Sequence, residues 1–586
     1  MQLNVAILDS GGWNLKYGLV QTRRDEETRE KRNNNNYDNN YDSASNGSSY
    51  LSMRNCTGRL KHQISIMVGD ELSSVKNQGK LLFRRPLERG YCTDWGTQLE
   101  VWKRALLSHP ERALFGAWKN NVSVVNKRRR KGKDGSAAEL VVAVENPKPL
   151  ISNACCFILT QPFTPSVILN GLDSVVFQDL QFGVCCRRLG ACMAAFKYNN
   201  DKKKQRLFEN NDVHIDSIEK LHNSSVEDFS GCCLVIDSGF SVTHIVPTVD
   251  NFAIRKGIRR INVGGKLMTN YLKEMISYRQ WNMMDEFVLI NDAKEKSCYV
   301  STSFDCELKS ARGKRINDFD RNFVLPDFSN TFEGAVEIPQ RLMQKMEQER
   351  IKLIEKSVDL NKESESRKKS SKVHNSNGDD KEDEKENRNN IDSGESTSDD
   401  SDEETTQAQL KRIRAQKLEE MRRRELEALE RQILSLSVER FSTPEILFRP
   451  KDIGLDQAGL CDAIIQSVEA CNPSLRAPLY RNIIIIGGCA NLPNFQDRVE
   501  KELRTLVDSK YAIRVHVPKD PVGYAWIGSQ DFVQSKLNSE IASSCVDRTT
   551  WSMFGTKGCQ SHWEAIEKQT IESTFGKGNN SEYVIM

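Results

Sequence analysis

No apolar run in this chain of 586 residues approaches the ~20 residues that span a bilayer, so no membrane association is expected. A cleavable leader is missing as well, because residues 1–20 already pattern as a folded hairpin, and an intracellular protein is expected. Charge of one sign is not in excess. With 84 Lys and Arg against 81 Asp and Glu the net charge is +3, so any basic surface is local and no overall case for nucleic-acid binding follows. The 16 cysteines include no CxxC pair. Cys155-Cys156, Cys185-Cys186 and Cys232-Cys233 fall inside apolar runs and read as reduced core residues, which excludes a zinc module or a disulfide frame. Apolar residues are scarce too, at 38% with a mean hydropathy of −0.58, so part of the chain is expected to be solvated and not packed.

What is present is a repeated corner. At 234–247 the chain reads LVIDSGFSVTHIVP, an apolar strand ending in Asp237-Ser238-Gly239 and a second β-type run directly after it. Gly239 lets the turn adopt backbone angles closed to other residues and brings main-chain amides close to whatever lies above. Asp237 repels phosphate, so its natural partner is a hydrated cation bridging to phosphates, magnesium first. A lone Asp-Ser-Gly is equally an ordinary hairpin turn. Residues 5–20, VAILDSGGWNLKYGLV, repeat the pattern with Asp9-Ser10-Gly11 and then Lys16. Two such corners far apart suggest duplicated halves facing each other across a cleft.

This pair of hairpins resembles the two phosphate loops of the actin, sugar kinase and chaperone ATPase superfamily, and VIDSGFSVTHIVP is very similar to the second loop of actin. The resemblance implies an α/β, actin-like ATPase fold, with duplicated ribonuclease-H-like halves around a nucleotide cleft. It also implies ATP or ADP with Mg2+ as cofactor. Asp9 and Asp237 would hold the metal through water, and Gly11, Gly12, Lys16, Gly239, Ser241 and Val242 would bind the phosphates. Gly265, Lys266, Lys294 and Glu295 resemble the family's adenosine contacts. So does NIIIIGGCANLPNF at 482–495, with Gly487 and Gly488 after a wholly apolar strand. Around the phosphate position the chain departs from the family. Gly12 and Trp13 replace a serine and a glycine, Phe240 and Ser241 replace an acid and a glycine, and Leu189 or a neighbour stands where a glutamine would orient water. The loss of that glutamine predicts nucleotide binding with weak or absent hydrolysis, hence no enzyme.

Domain boundaries follow from composition and resemblance. Residues 1–22 and 50–230 form the first half, with insertions at 23–49 and about 126–138, and residues 231–330 and 437–528 form the second. A charged segment at 331–436 interrupts the second half, and residues 529–586 diverge from the family. The stretch 23–49 is Asn-rich and reads as disordered. Lys127, Arg128, Arg129, Arg130 and Lys131 form a basic run, either a solvated charge run or a nuclear import or phosphate-contact signal. Helices are expected at 340–356 and 407–436, the latter with Glu419/Arg423 and Glu427/Arg431 pairs. Between them 392–404 holds seven acids and no base, a solvated linker or a site for histone mimicry or phosphorylation at Ser398 or Ser401.

Three longer segments refine the resemblance: GGKLMTNYLKEMISYRQWNMMDE from Gly264, NFVLPDFS from Asn322 and ERFSTPEILFRPKDIG from Glu439. They are similar to the sixth class of actin-related proteins. That likeness implies a nuclear, non-polymerising structural subunit of a Swr-type chromatin remodeller, which exchanges a histone variant into nucleosomes. It further implies two direct partners, the motor subunit and a small zinc-finger subunit, with histones or the nucleosome reached through the complex. The alternatives are an active actin-like ATPase with a cytoskeletal or chaperone-type role, and a sugar kinase. The kinase lacks an acceptor-binding aspartate, and the chaperone lacks a substrate domain.

Overall fold

The computed structural model describes residues 3–22, 50–61, 64–75, 81–109, 112–115, 150–211, 231–312, 317–328, 331–339, 344, 433–536, 538–576 and 582–584. The stretch 23–49, the basic run at 127–131, residues 392–404 and nearly all of both expected inserted helices lie outside the described residues. The chain divides into two compact units, residues 1–307 with 439–586, and residues 308–438.

In the first unit, β1 (Asn4–Ser10) pairs antiparallel with β2 (Asn14–Gln21), which pairs in turn with β3 (Leu51–Arg54). A small sheet of β4 (Thr57–Leu60), β5 (Met67–Val68) and β6 (Leu81–Arg84) and a ribbon of β7 (Leu87–Glu88) and β8 (Tyr91–Cys92) follow. On its other side β1 runs parallel to β9 (Cys155–Thr160), and β9 to β10 (Val184–Leu189). Every residue of β9 is buried, and its sequence CCFILT is continuously apolar as a strand covered on both faces requires.

The second sheet repeats the plan. Here β11 (Cys232–Ser238) pairs antiparallel with β12 (Thr243–Val249), which pairs with β13 (Phe252–Ile254) and with β14 (Arg259–Ile261). Three later strands complete it.

In the second unit, β15 (Arg321–Val324) lies between β16 (Ala335–Glu337) and β17 (Ile433–Leu436). This overturns the expectation of helix through residue 436. The run ILSL alternates in burial, with Leu434 and Leu436 inward, and pairing with β15 claims it despite the helix-favouring charge pairs upstream.

Returning to the first unit, β18 (Ile483–Ile486) runs parallel to β11, and β19 (Val515–His516) parallel to β18. In both sheets, therefore, a hairpin has parallel strands beyond its first member. Between the sheets pack the helices Gly190–Asn211 and Tyr524–Ser535. One continuous core joins Ile7 and Phe157 of the first sheet, Trp526 of the intervening helix and Val235 and Ile484 of the second sheet. The tail closes both sheets. β20 (Val546–Asp547) adds to β10, the helix Arg548–Phe575 breaks at Gly555 (φ 62°), and β21 (Tyr583–Val584) adds to β13.

Candidate functional site

The two hairpin turns are built alike. The Gly11 amide donates to the Asn14 carbonyl at 3.0 Å, and the Gly239 amide to the Val242 carbonyl at 3.1 Å, so both Asp-Ser-Gly corners close in the same way. That closure uses the Gly11 and Gly239 amides within the turns. The amides of Gly12, Trp13, Phe240, Ser241 and Val242 have no protein acceptor among the described residues, and consecutive free amides in a tight turn make a concavity for an anion.

Both turns open on one cavity of about 470 Å³. Of the described residues named from sequence, Asp9, Gly11, Gly12, Lys16, Asp237, Gly239, Ser241, Val242, Gly265, Lys294, Glu295, Gly487 and Gly488 line it, and Lys266 does not. The Lys266 ammonium turns outward to Glu88 at 3.2 Å, while its amide donates to the Phe240 carbonyl at 2.7 Å. Together with the Gly265 amide on the Gly239 carbonyl, it spends the orphan donors of a helix start, Gly265–Arg279, on holding the second turn.

Electrostatics favour a cation. Lys16 Nζ lies 2.7 Å from Asp9 Oδ2, leaving one positive charge against two carboxylates. Burial, and then the charge of Asp9, push the Asp237 carboxyl up to about 6, against the opposing pull of Lys16. A hydrated divalent cation between the two aspartates would relieve that crowding. Lys294 lines the cavity but is committed elsewhere, since Nζ donates to Gly265 O, Thr269 Oγ1 and Asn291 Oδ1 at 2.9–3.2 Å. It fastens two helices together. Glu295 is exposed and accepts from Asn291 Nδ2 at 2.8 Å.

The glycines of the second half are forced by contact. At Gly487 φ is 92°, and a Cβ there would run into the Ser238 backbone and reach Asp237 Oδ1 at 3.0 Å. Nothing lies within 4 Å of the position a Cβ would take at Gly488, so this glycine faces open cavity. A Cβ at Gly12 would overlap Ser241 Oγ. The Ser241 hydroxyl of the opposite turn thus stands in the room that a side chain at position 12 would need.

Several supports are not legible from the motifs. The buried pair Asn55 and Gln98 exchanges amide hydrogen bonds at 3.1 and 3.2 Å, and Asn55 also donates from Nδ2 to Gly11 O and from its amide to Trp13 O. Trp102 Nε1 donates to Ser10 Oγ, Trp526 Nε1 to Ile7 O, and Tyr50 Oη to Asp520 Oδ2. Leu189 faces the core, and Gly190 and Gln161 line the cavity beside it. Gln161 follows β9 and sits one strand away from Leu189, where the resemblance places a glutamine.

The arrangement fits a magnesium-bound nucleotide. Free turn amides would meet its phosphates, with two carboxylates and a lysine beside them, and two side-chain-free positions lie elsewhere on the wall; pockets of this size hold small ligands.

A family comparison matches residues 3–561 to actin. Similar curated proteins include "Actin-related protein 6" of Arabidopsis thaliana, 32% identical over 480 residues that cover 81% of this chain and 84% of that one. The protein of the same name from Oryza sativa subsp. japonica is 29% identical over 510 residues, 86% of this chain and 91% of its own. That of Dictyostelium discoideum is 28% identical over 474 residues, 81% and 82% of the two chains.

Proposed function

The chain belongs to the actin family, and on that premise we propose that it is a non-polymerising, nucleotide-stabilised structural subunit of a nuclear, Swr-type remodelling complex that exchanges a histone variant into nucleosomes. The observation that carries the nucleotide part is the convergence of Asp9 and Asp237, from duplicated turns, on one cavity with Gly487 and Gly488. Likeness to the actin-related protein 6 relatives supports the assembly part. The partners are then the remodeller's motor subunit and a small zinc-finger subunit.

ATP or ADP with Mg2+ is the ligand on this reading. When bound it supplies charge neutralisation and a bridge between the halves. Asp9 and Asp237 would hold the metal through water, the free amides of both turns with Lys16 would take the phosphates, and Gly265, Gly487 and Gly488 would admit the adenosine. Trp13 and Phe240 line the phosphate end with apolar rings, and Leu189 is turned into the core, an environment suited to retention more than to turnover. Affinity purification from nuclear extract, read by mass spectrometry, tests the assembly. Recovery of a large remodelling ATPase with a small zinc-finger protein is expected, and their absence from a stoichiometric eluate overturns it. Protein purified without chelator should carry adenine nucleotide; a stable, nucleotide-free preparation sinks the cofactor.

One observation favours a second reading, an active ATPase. Gln161 lines the cavity and could orient water from a different strand. Steady phosphate release that Gln161→Ala abolishes would establish it, and no release above background is expected.

A further inference from the structure

Beside the two turns, four aromatic rings close around one guanidinium. Trp13, on the first turn, lies 5.1 Å from Phe240 on the second and 6.0 Å from Phe287, the first residue of the helix Phe287–Ser297. Phe240 and Phe287 meet edge to face at 6.0 Å. The Arg85 guanidinium, just beyond β6, sits 4.7 Å from the Phe287 ring, 5.2 Å from Trp13, 5.5 Å from Phe240 and 6.0 Å from Phe83. Among the described residues Arg85 makes no salt bridge, so the faces of these rings are its main company, and burial holds its pKa below the usual arginine range.

The members come from opposite sides. Trp13, Phe83 and Arg85 belong to the first half of the duplicated plan, and Phe240 and Phe287 to the second. Two weaker ties run alongside: the exposed Lys266–Glu88 pair, and Arg260, which donates to the Arg89 carbonyl at 2.6 Å and lies over the Tyr91 ring at 4.8 Å. An exposed ion pair contributes little, whereas a half-buried guanidinium stacked among four aromatic rings is a stronger and directional contact. Trp13 and Phe240 also line the cavity, so parting the two turns requires breaking the cluster.

We propose that Trp13, Arg85, Phe240 and Phe287 form a latch that holds the two turns together over the cavity and so makes its ligand slow to exchange. The proposal rests on the nucleotide reading above for the identity of that ligand. Opening the latch changes entry and exit together, so exchange rates respond more than equilibrium affinity does.

Arg85 and Phe287 lie outside the cavity lining, and Arg85→Met and Phe287→Ala are the informative variants. The full chain is loaded with N-methylanthraniloyl-ADP and Mg2+ and chased with unlabelled ADP. Release at least about tenfold faster is expected in each variant, with Kd changed less than the rate, and the double variant should add little, because both act on one latch. Release within twofold of the parent chain in both variants overturns the proposal. If the parent chain binds no labelled nucleotide, the cofactor reading fails on its own. Hydrogen exchange then decides the latch: amides at 10–14 and 238–242 should exchange faster in Arg85→Met, and unchanged protection there overturns it.

Discussion

Asp237 carries the conflict on which the site depends. Its half-buried carboxyl sits beside Asp9, and its pKa rises to about 6, above the unfolded value near 4. The folded state therefore holds a proton that the unfolded state has lost, and stability without a cation falls as pH rises between those values. At pH 7 Asp237→Asn is expected to raise the melting temperature of the nucleotide-free protein while abolishing its increase with Mg-ATP; a retained increase would remove Asp237 from the metal site. His244, opposite Asp237 in the β11–β12 register, has the reverse sign. Burial, with Arg260 adding like charge, lowers its pKa to about 3. Neutral His244 suits the fold above the unfolded pKa of about 6.5, and that stability is lost as pH falls from there towards 3. Urea titrations at pH 7 and pH 5 should show a smaller loss in His244→Phe than in the parent chain. An equal loss would place the acid sensitivity elsewhere.

At the scale of elements, the two hairpins are the same device used twice, and each is braced differently. The first leans on Asn55, Gln98 and Trp102, and the second on the start of the helix Gly265–Arg279 and on Gly487. Gly487→Ala must place a methyl against the Ser238 backbone at φ 92°. The loss is expected to exceed the ~1 kcal/mol typical of a Gly-to-Ala change at positive φ, because backbone and not a flexible side chain is in the way. Chemical denaturation measures it, and a neutral effect would mean the β18 end shifts freely. β17 teaches the opposite lesson. Its four residues alternate, and alternation decides an element only when a partner strand is available, as β15 is here.

For the whole molecule, the shared core and a ligand held by both turns would do separate work. The core around Trp526 joins the two sheets, and noncovalent contacts join the two turns beside the cavity. A ligand gripped by both turns then contributes stability by mass action, about 2.7 kcal/mol at a hundredfold excess over Kd. Dialysis against EDTA should lower the melting temperature, and restoring Mg-ADP should recover it. A melting temperature indifferent to both would leave the fold resting on its core alone.

Composition, the paired Asp-Ser-Gly corners and the Gly-Gly turn were enough to read an actin-type α/β chain with most of its cavity lining, because a close backbone approach and a carboxylate at a strand end are local demands that leave local marks. The outward turn of Lys266, the full commitment of Lys294, the place of Gln161 on the cavity wall, and the Ser241 hydroxyl filling the room left at Gly12 were settled only by folding. Each depends on which side chain from a distant strand or turn reaches a given point first, and no spacing along one chain encodes that.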